Sequence, residues 1–541
     1  MSITSFPFLL FAGALLIAYY GLPRKCQWIV LLVASVTFYL LGGLRNAFYI
    51  LITSTSVWLC TRAMQKRTDR RKEYLKANKA TLTREDKAAL KARDKTVRKR
   101  IMVGCLVLNF GILCVFKYLG FVMNTLDPLV QAIWGKPLGA APSLIIPLGI
   151  SFYTFQSMGY CIDVYWENVR AERSWAKTLL FTSFFPQIIQ GPISNFAQLS
   201  GQLFSPHDYR YKNFSYGCQR MIWGFFKKIV IADVLSVYVG DIFANYDSYM
   251  GITALLGGFM YSIQIYADFS GYMDIMCGLC ETLGIRLPEN FERPYFSKSI
   301  AEYWRRWHIT LGAWFKSYIY YPIAMSKKTM AIAKKAKTHF GKSIPATIAL
   351  VAVWLITGLW HGASWAYIAW GGVNGVIIII SMWLEPFYEK TRSLLRIRGD
   401  ETWMRWFRTI RTFLLVTFIK VLPEVGTLSD GIGLWKRAFT EHSLPRGSLL
   451  QILDQLFPTA AHPHNIFGYV FTDLAGNVII VSCGVALMLA VSLIQRRGSV
   501  RDWLQARPRA VRWGVFVVLT CVTIATKCFT GLTGGFLYAR F

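Results

Sequence analysis

Two histidines sit among tryptophans in an otherwise apolar chain: His308 in Tyr303-Trp-Arg-Arg-Trp-His308, and His361 in Leu359-Trp-His-Gly-Ala-Ser-Trp365. The chain has only seven histidines in 541 residues. Imidazole is the side chain whose ordinary pKa suits proton transfer near neutral pH. Placed in or near a membrane beside indoles that exclude water, such groups point to acyl or proton chemistry rather than to packing. At 100° per residue, Trp304, Trp307, His308, Leu311, Trp314 and Phe315 fall on one arc of a helix, with Arg305, Arg306 and Lys316 on another. The spacing predicts an amphipathic helix at the inner interface, with its arginines available to phosphate. In the second segment, a continuous helix aligns His361, Ser364, Trp365, Ile368, Gly372 and Gly375 and puts Asn374 on the opposite side. Small residues on that stripe permit close approach of another helix or a substrate.

The elements that carry these segments are membrane helices. The chain is 54% hydrophobic and 16% charged. Apolar runs near the ~20 residues needed to span a bilayer occur at 6–22, 28–44, 101–123, 143–165, 251–280, 344–360, 373–384, 474–494 and 515–529. This predicts an all-α polytopic membrane protein; a β-barrel shows short alternating segments instead. The first run lacks a basic region before it and a small-residue cleavage site after it, so it reads as a membrane helix and not a cleaved signal.

A net charge of +31 suggests nucleic acid, but its distribution does not. The cations lie between the apolar runs: 16 Lys/Arg against 5 Asp/Glu in 62–100, six Lys and no acid in 327–342, six Arg and one Asp in 496–512. Such loops mark the cytoplasmic side. Three helices then precede the basic segment 61–100, and the N-terminus lies outside. That segment reads as helical, with Thr83 and Asp86 as a capping pair, lying on the inner surface against anionic lipid. The runs between 345 and 384 read as a hairpin. Pro345 to His361 covers about 25 Å of a roughly 30 Å core, which puts His361 near the outer turn, or deep in the membrane if that turn is sunken. His308 falls toward the inner side, so the pair faces a path through the protein from opposite ends.

Asp268 and Asp274 are acids in an apolar run and either line a reaction cavity or pair with a nearby arginine. Lys420 and Glu424 have i,i+4 spacing beside Pro423. The other histidines (207, 339, 442, 462, 464) lie in polar or loop contexts. Neither they nor the eleven scattered cysteines, read as small buried apolar residues, have metal-ligand spacing. Nucleophile-elbow, Walker and dinucleotide-binding motifs are missing.

The chain resembles the membrane-bound O-acyltransferase (MBOAT) family, and within it the bacterial branch that holds the membrane subunits of alginate and peptidoglycan O-acetylation. The resemblance rests on Ile146-Pro-Leu-Gly-Ile-Ser-Phe-Tyr-Thr-Phe-Gln156, Phe185-Pro-Gln-Ile-Ile-Gln-Gly-Pro192, Gln264-Ile-Tyr-Ala-Asp-Phe-Ser-Gly-Tyr-Met-Asp274 and Leu283-Gly-Ile-Arg-Leu-Pro-Glu-Asn-Phe-Glu-Arg-Pro-Tyr295. It also rests on the two histidine segments and, at the C-terminus, on 534–541. The matches run in the family's order over about 145–375.

The resemblance implies one integral membrane domain over 1–541, with tilted helices ringed about a central reaction cavity, interfacial cytoplasmic helices, and 424–471 outside. It makes His361 the family's essential histidine and His308 the second catalytic position. It implies Trp304, Trp307, Trp360, Asp268, Asp274, Gln190, Asn290 and Ser364 about the cavity, with Arg305 and Arg306 toward the donor's phosphates. Close relatives usually have a histidine where this chain has Asn374. The implied reaction moves acetyl from a cytosolic thioester, acetyl-CoA, to a surface or exported polysaccharide in a bacterial inner membrane. An exported acetyltransferase would be the partner, with no bound cofactor, no metal and no nucleic acid. Two other readings stay open: D-alanyl transfer to teichoic acid on the same fold, and transport of a lipid-linked sugar.

Overall fold

Helix is the only regular element in the computed structural model, apart from one isolated bridge, among the residues it describes: 2–140, 142, 144–398, 401–441, 474–532 and 535–536. Hydrocarbon imposes this, because a spanning segment must satisfy its backbone polar groups internally. Five of these helices are long and apolar enough to cross a membrane, and two shorter apolar ones approach that length. The protein is an all-α, polytopic membrane protein.

Packing divides the chain, which the sequence predicts as one domain, into two compact units: Met1–Phe214 with Cys280–Pro288, and Ser215–Leu279 with Glu289–Phe541.

In the first unit, α1 (Phe6–Gly21), α2 (Gln27–Leu41), α3 (Leu44–Ala77) and α4 (Arg84–Trp134) precede α5 (Ile150–Tyr165) and α6 (Trp175–Ser183). The basic segment does not form a separate surface helix. It is the end of α3 and the beginning of α4, packed against each other. Thr83 and Asp86 cap α4 reciprocally, and the Thr83 hydroxyl and amide hold the Asp86 carboxyl below its usual range. Asp94 receives Arg71 and Arg98 at 2.8 Å, and Glu167 receives Arg71 at 2.6 Å and Arg98 at 2.9 Å. These acids stitch the arm together. The run expected at 143–165 becomes helical only at Ile150. Before it, Gly149 is left-handed (φ 67), and a Cβ there would collide with Ile188.

In the second unit, α7 (Tyr211–Phe226) passes through wide π-type turns over Lys227–Asp233 into α8 (Val234–Ala244). Then come α9 (Gly251–Thr282), α10 (Ile300–Arg306), α11 (Ile309–Phe315), α12 (His339–His361), α13 (Trp365–Trp383), α14 (Thr402–Val421), α15 (Leu428–Thr440), α16 (Leu474–Ile494) and α17 (Arg509–Thr530). The π-type segment is buried: Val230, Ile231 and Val234 share a core with Ala267, Val481, Met488 and Leu519.

The hairpin expected after residue 344 is α12 and α13. Its register differs from a continuous helix, because the chain breaks at Gly362–Ser364 and the helical phase restarts. Gly371 and Gly375 therefore face α12, where a Cβ would meet Gly358 or Trp354, while Gly372 faces open space. Of the eleven cysteines read as buried, Cys105, Cys161, Cys277 and Cys280 are, whereas Cys114, Cys483, Cys521 and Cys528 are exposed. The expected external segment 424–471 begins with α15; its later part, with His442, His462 and His464, lies outside the described residues, as does 537–541.

Candidate active site

The single amphipathic helix expected around His308 is two short helices with a sharp break between them. Trp307 is extended (φ −109, ψ 128) and His308 is left-handed (φ 49, ψ 50). The cause is tertiary. Trp307 forms an antiparallel bridge with Phe291. The Glu292 amide donates to the Arg306 carbonyl (3.0 Å), and the Ile309 amide to the Asn290 carbonyl (3.1 Å). The Asn290 side-chain oxygen accepts from the Thr310 amide (3.0 Å) and hydroxyl (2.7 Å). A strained backbone of this kind costs about 1–3 kcal/mol and persists where its surroundings over-determine it. Here Asn290 brackets the strained residue on its C-terminal side. The result is a His308 ring buried edge-to-face against Phe269 of α9, at 4.9 Å between centroids. Asn290 thus fixes the backbone beside His308 and lines neither of the two cavities described below. Asn290→Leu is expected to cost roughly 1–3 kcal/mol for the stranded Thr310 donors. It should also lower kcat while KM for the donor holds, and Asn290→Asp, which keeps an acceptor oxygen, should recover most of the loss. Steady-state kinetics on the three proteins checks this.

His361 is the last residue of α12 and is 4% exposed. The Trp360 ring lies 4.9 Å from His361 and 6.0 Å from His308 between centroids. Both imidazoles therefore border one indole, which corrects the expectation that they sit at opposite ends of a path. Phe269, beside His308, is about 27 Å along α9 from Gly251 and about 20 Å from Thr282. The histidines gather beside its mid-length. Trp370 stands edge-on to His361 at 4.8 Å, and Tyr367 stacks parallel to it at 6.5 Å. Ser364 does not share a stripe with His361; its hydroxyl caps α13 by accepting from the Tyr367 amide.

Trp304 packs edge-on to Trp354 (5.0 Å) and Trp370 (5.5 Å). Its indole N–H donates to the Asn374 oxygen at 3.0 Å. Asn374 is buried here and faces the cluster instead of pointing away. Asn374 thus anchors a tryptophan of the cluster. Lys420 does not pair with Glu424 as expected from spacing. Its ammonium sits 3.5 Å from the Trp307 ring centre and bonds the Tyr295 hydroxyl at 3.2 Å, whereas Glu424 accepts from the Tyr367 hydroxyl at 2.9 Å.

Both acids of α9 are ion-paired to lysines more closely than to arginine. Asp274 binds Lys227 (2.7 Å) and Arg220 (2.9 Å), and Asp268 binds Lys228 (2.7 Å). Each also lines a cavity. Asp274 borders one of about 700 Å³, shared with the cations Arg220, Lys227, Arg293, Arg496 and Arg501, the acids Glu289 and Glu292, and largely apolar side chains of α16 and α17. Asp268 borders one of about 370 Å³, toward the Gly251 end of α9. Tyr266 and Phe291 belong to the larger cavity and also pack on Trp307, so that cavity backs onto the histidine cluster. Arg305 and Arg306 line neither. Arg305 is exposed, and Arg306 pairs with Glu302 at 2.7 Å. Gln190 belongs to the first unit, where it is wholly buried, with no hydrogen bond to its carboxamide among the described residues. Sequence reasoning missed Lys227, Lys228, Asn374 as a wall, and the Tyr367–Glu424 bond. A dibasic pair directly after Phe225-Phe226 was the available signal for the first two.

Comparison with known proteins bears on this geometry. The model of the membrane-bound O-acyltransferase family matches residues 167–410, which hold both histidines. A probable alginate O-acetylase AlgI of Pseudomonas putida is 33% identical over 410 residues, 75% of this chain and 73% of that one. A second, from Azotobacter vinelandii, is 34% identical over 324 residues, and the match covers 60% of this chain and 59% of the relative. The peptidoglycan O-acetyltransferase of Helicobacter pylori is 32% identical over 301 residues, 51% of this chain and 54% of its own. Two buried histidines on one indole, carried by helices of a polytopic membrane protein, are therefore set in a chain that belongs to the membrane-bound O-acyltransferase family.

Proposed function

We propose that this O-acyltransferase takes an acetyl group from a cytosolic thioester, acetyl-CoA, and passes it across the membrane for O-acetylation of a cell-surface or exported polysaccharide. The observation that carries the reading is the Trp360 ring bordering both His308 and His361, with a cation-lined cavity on one side along α9 and a polar cavity on the other.

His361 takes the proton of the incoming hydroxyl as its oxygen attacks the thioester carbonyl. The C–O bond forms, the C–S bond breaks, and the thiolate leaves toward the donor side, where it is protonated. His308 orients the carbonyl. Trp304, Trp307 and Trp360 keep water from a hydrolysable thioester. The larger cavity offers Arg293, Arg496 and Arg501 to the donor's phosphates, a better-built set than Arg305 and Arg306.

Read as cytoplasmic, the basic segment 496–512, whose Arg496 and Arg501 line the larger cavity, supports an opening of that cavity toward the cytoplasm of a bacterial inner membrane, and the basic segment 62–100 supports an N-terminus outside. The segment 424–471 is then the face for an exported acetyltransferase partner. Purified chain in nanodiscs, given acetyl-CoA labelled in the acetyl group, should consume it with acceptor present. Consumption no faster than in buffer, with a D-alanyl carrier thioester consumed instead, would replace this reading by D-alanyl transfer.

A further inference from the structure

Lys420 lies in the last turn of α14 and Glu424 just past its end, each committed to a different histidine segment. Lys420 is buried, and no acid pairs with it among the described residues. An ammonium kept from water without a counter-ion is costly, so its surroundings must compensate at short range. Aromatic rings do so. The ring centres of Trp307, Tyr295 and Tyr303 lie 3.5, 5.1 and 5.1 Å from its nitrogen, and the indole face attracts a cation most strongly. Its hydrogen bond goes to the Tyr295 hydroxyl at 3.2 Å, and that hydroxyl donates to the Ser262 carbonyl. Lys420 therefore holds the ring plane of Trp307, whose backbone is already fixed by its bridge to Phe291. The next residue is His308.

Glu424 acts on the other histidine. Its carboxylate accepts from the Tyr367 hydroxyl at 2.9 Å. The Tyr367 ring lies parallel to His361 and covers the backbone that follows it: a Cβ built on Gly362 would fall 2.1 Å from that ring. With its hydroxyl tied, the ring is kept over the break that ends α12. We infer that Lys420 and Glu424 are positioning residues that set the two imidazoles relative to each other, one through Trp307 and the other through Tyr367. The inference rests on the acyl-transfer reading of the same site. It matters for rate because a misplacement of about 1 Å can cost about 10²-fold.

The test uses the full chain in nanodiscs. Lys420→Met keeps length without charge, and Tyr367→Phe keeps the ring without the bond to Glu424. Each should lower kcat by about ten- to a hundredfold with donor KM held, since neither residue lines the larger cavity. Lys420→Arg and Glu424→Gln, which keep the cation and the acceptor oxygen, should keep most of the rate. A second readout needs no turnover: diethyl pyrocarbonate modifies imidazole nitrogens, and peptide mass spectrometry gives the rate at each histidine. Lys420→Met should speed modification of His308 and leave His361 near its unaltered rate; Tyr367→Phe should do the reverse. A general loosening of the fold would speed both alike, and that result, or unaltered rates at both, overturns the inference. So does an unaltered kcat in both variants. If Lys420→Met does not fold, Tyr367→Phe still decides by the same contrast. The selective pattern in a chain without acetyl transfer supports the inference and counts against the transfer reading alone.

Discussion

Replacing His361 by alanine is expected to lower acetyl transfer by about 10² to 10⁴-fold, the usual worth of a general base. The loss should appear in kcat, because the imidazole acts on the proton that moves in the transition state; an interaction made only there lowers kcat and kcat/KM together. Donor KM should change little, since the larger cavity is lined by other residues. The ring is buried between Trp360, Trp370 and Tyr367. Its removal leaves a hole, so added imidazole should restore part of the rate in His361→Ala. Transfer from labelled acetyl-CoA by the purified variant, alone and with imidazole, is the measurement. Turnover at the unaltered chain's rate would end the assignment of His361 as base.

The largest effect on stability is expected at Asp274, away from the histidines. Its carboxylate receives Arg220 at 2.9 Å and Lys227 at 2.7 Å, and the lysine side chain is 4% exposed. Asp274→Ala leaves Lys227 with the Ser270 hydroxyl and the Trp223 ring among the described residues, while Arg220 keeps Glu289. Stranding a buried partner costs about 3–5 kcal/mol. Asp274→Asn should cost less, because the amide keeps an oxygen for one of the two cations. Thermal unfolding in detergent should rank the proteins unaltered, Asn, Ala. A melting point for Asp274→Ala that matches the unaltered chain would show that water reaches Lys227 once the carboxylate is gone.

Much of this was legible in the sequence. Apolar length gave α1, α2, the hairpin and the all-α class. The capping pair at Thr83 and Asp86 was readable because both partners are local. What failed was non-local. The break at Trp307–His308 has no signature in its own segment; it is imposed by residues 290–292, and periodicity alone reads through it. The depth of the α12–α13 turn is not a property of loop charges, which fix which side a hairpin starts from and not how far it reaches. Asn374 was misplaced because a phase carried from His361 does not survive the interruption at Gly362–Ser364. The counter-ions of Asp268 and Asp274 were expected to be arginines. Arg220 does reach Asp274, but two adjacent lysines some forty residues upstream reach both acids more closely, from a segment of wide turns that residue types do not announce.

The bridge between Phe291 and Trp307 has left-handed residues at both of its margins, Arg293 on one and His308 on the other. The arginine lines the larger cavity, and the histidine lies in the catalytic cluster. Between them run a 3-10 turn at Pro294–Phe296 and one short α-helix, α10. A single residue gained or lost there would rotate the downstream part of a helix by about 100°, or turn a bridged side chain to the opposite face. The interval from 293 to 308 therefore works as a gauge block: its composition can drift at exposed positions such as Arg305, but a change in its length would shift the cavity wall at one end against the histidine cluster at the other.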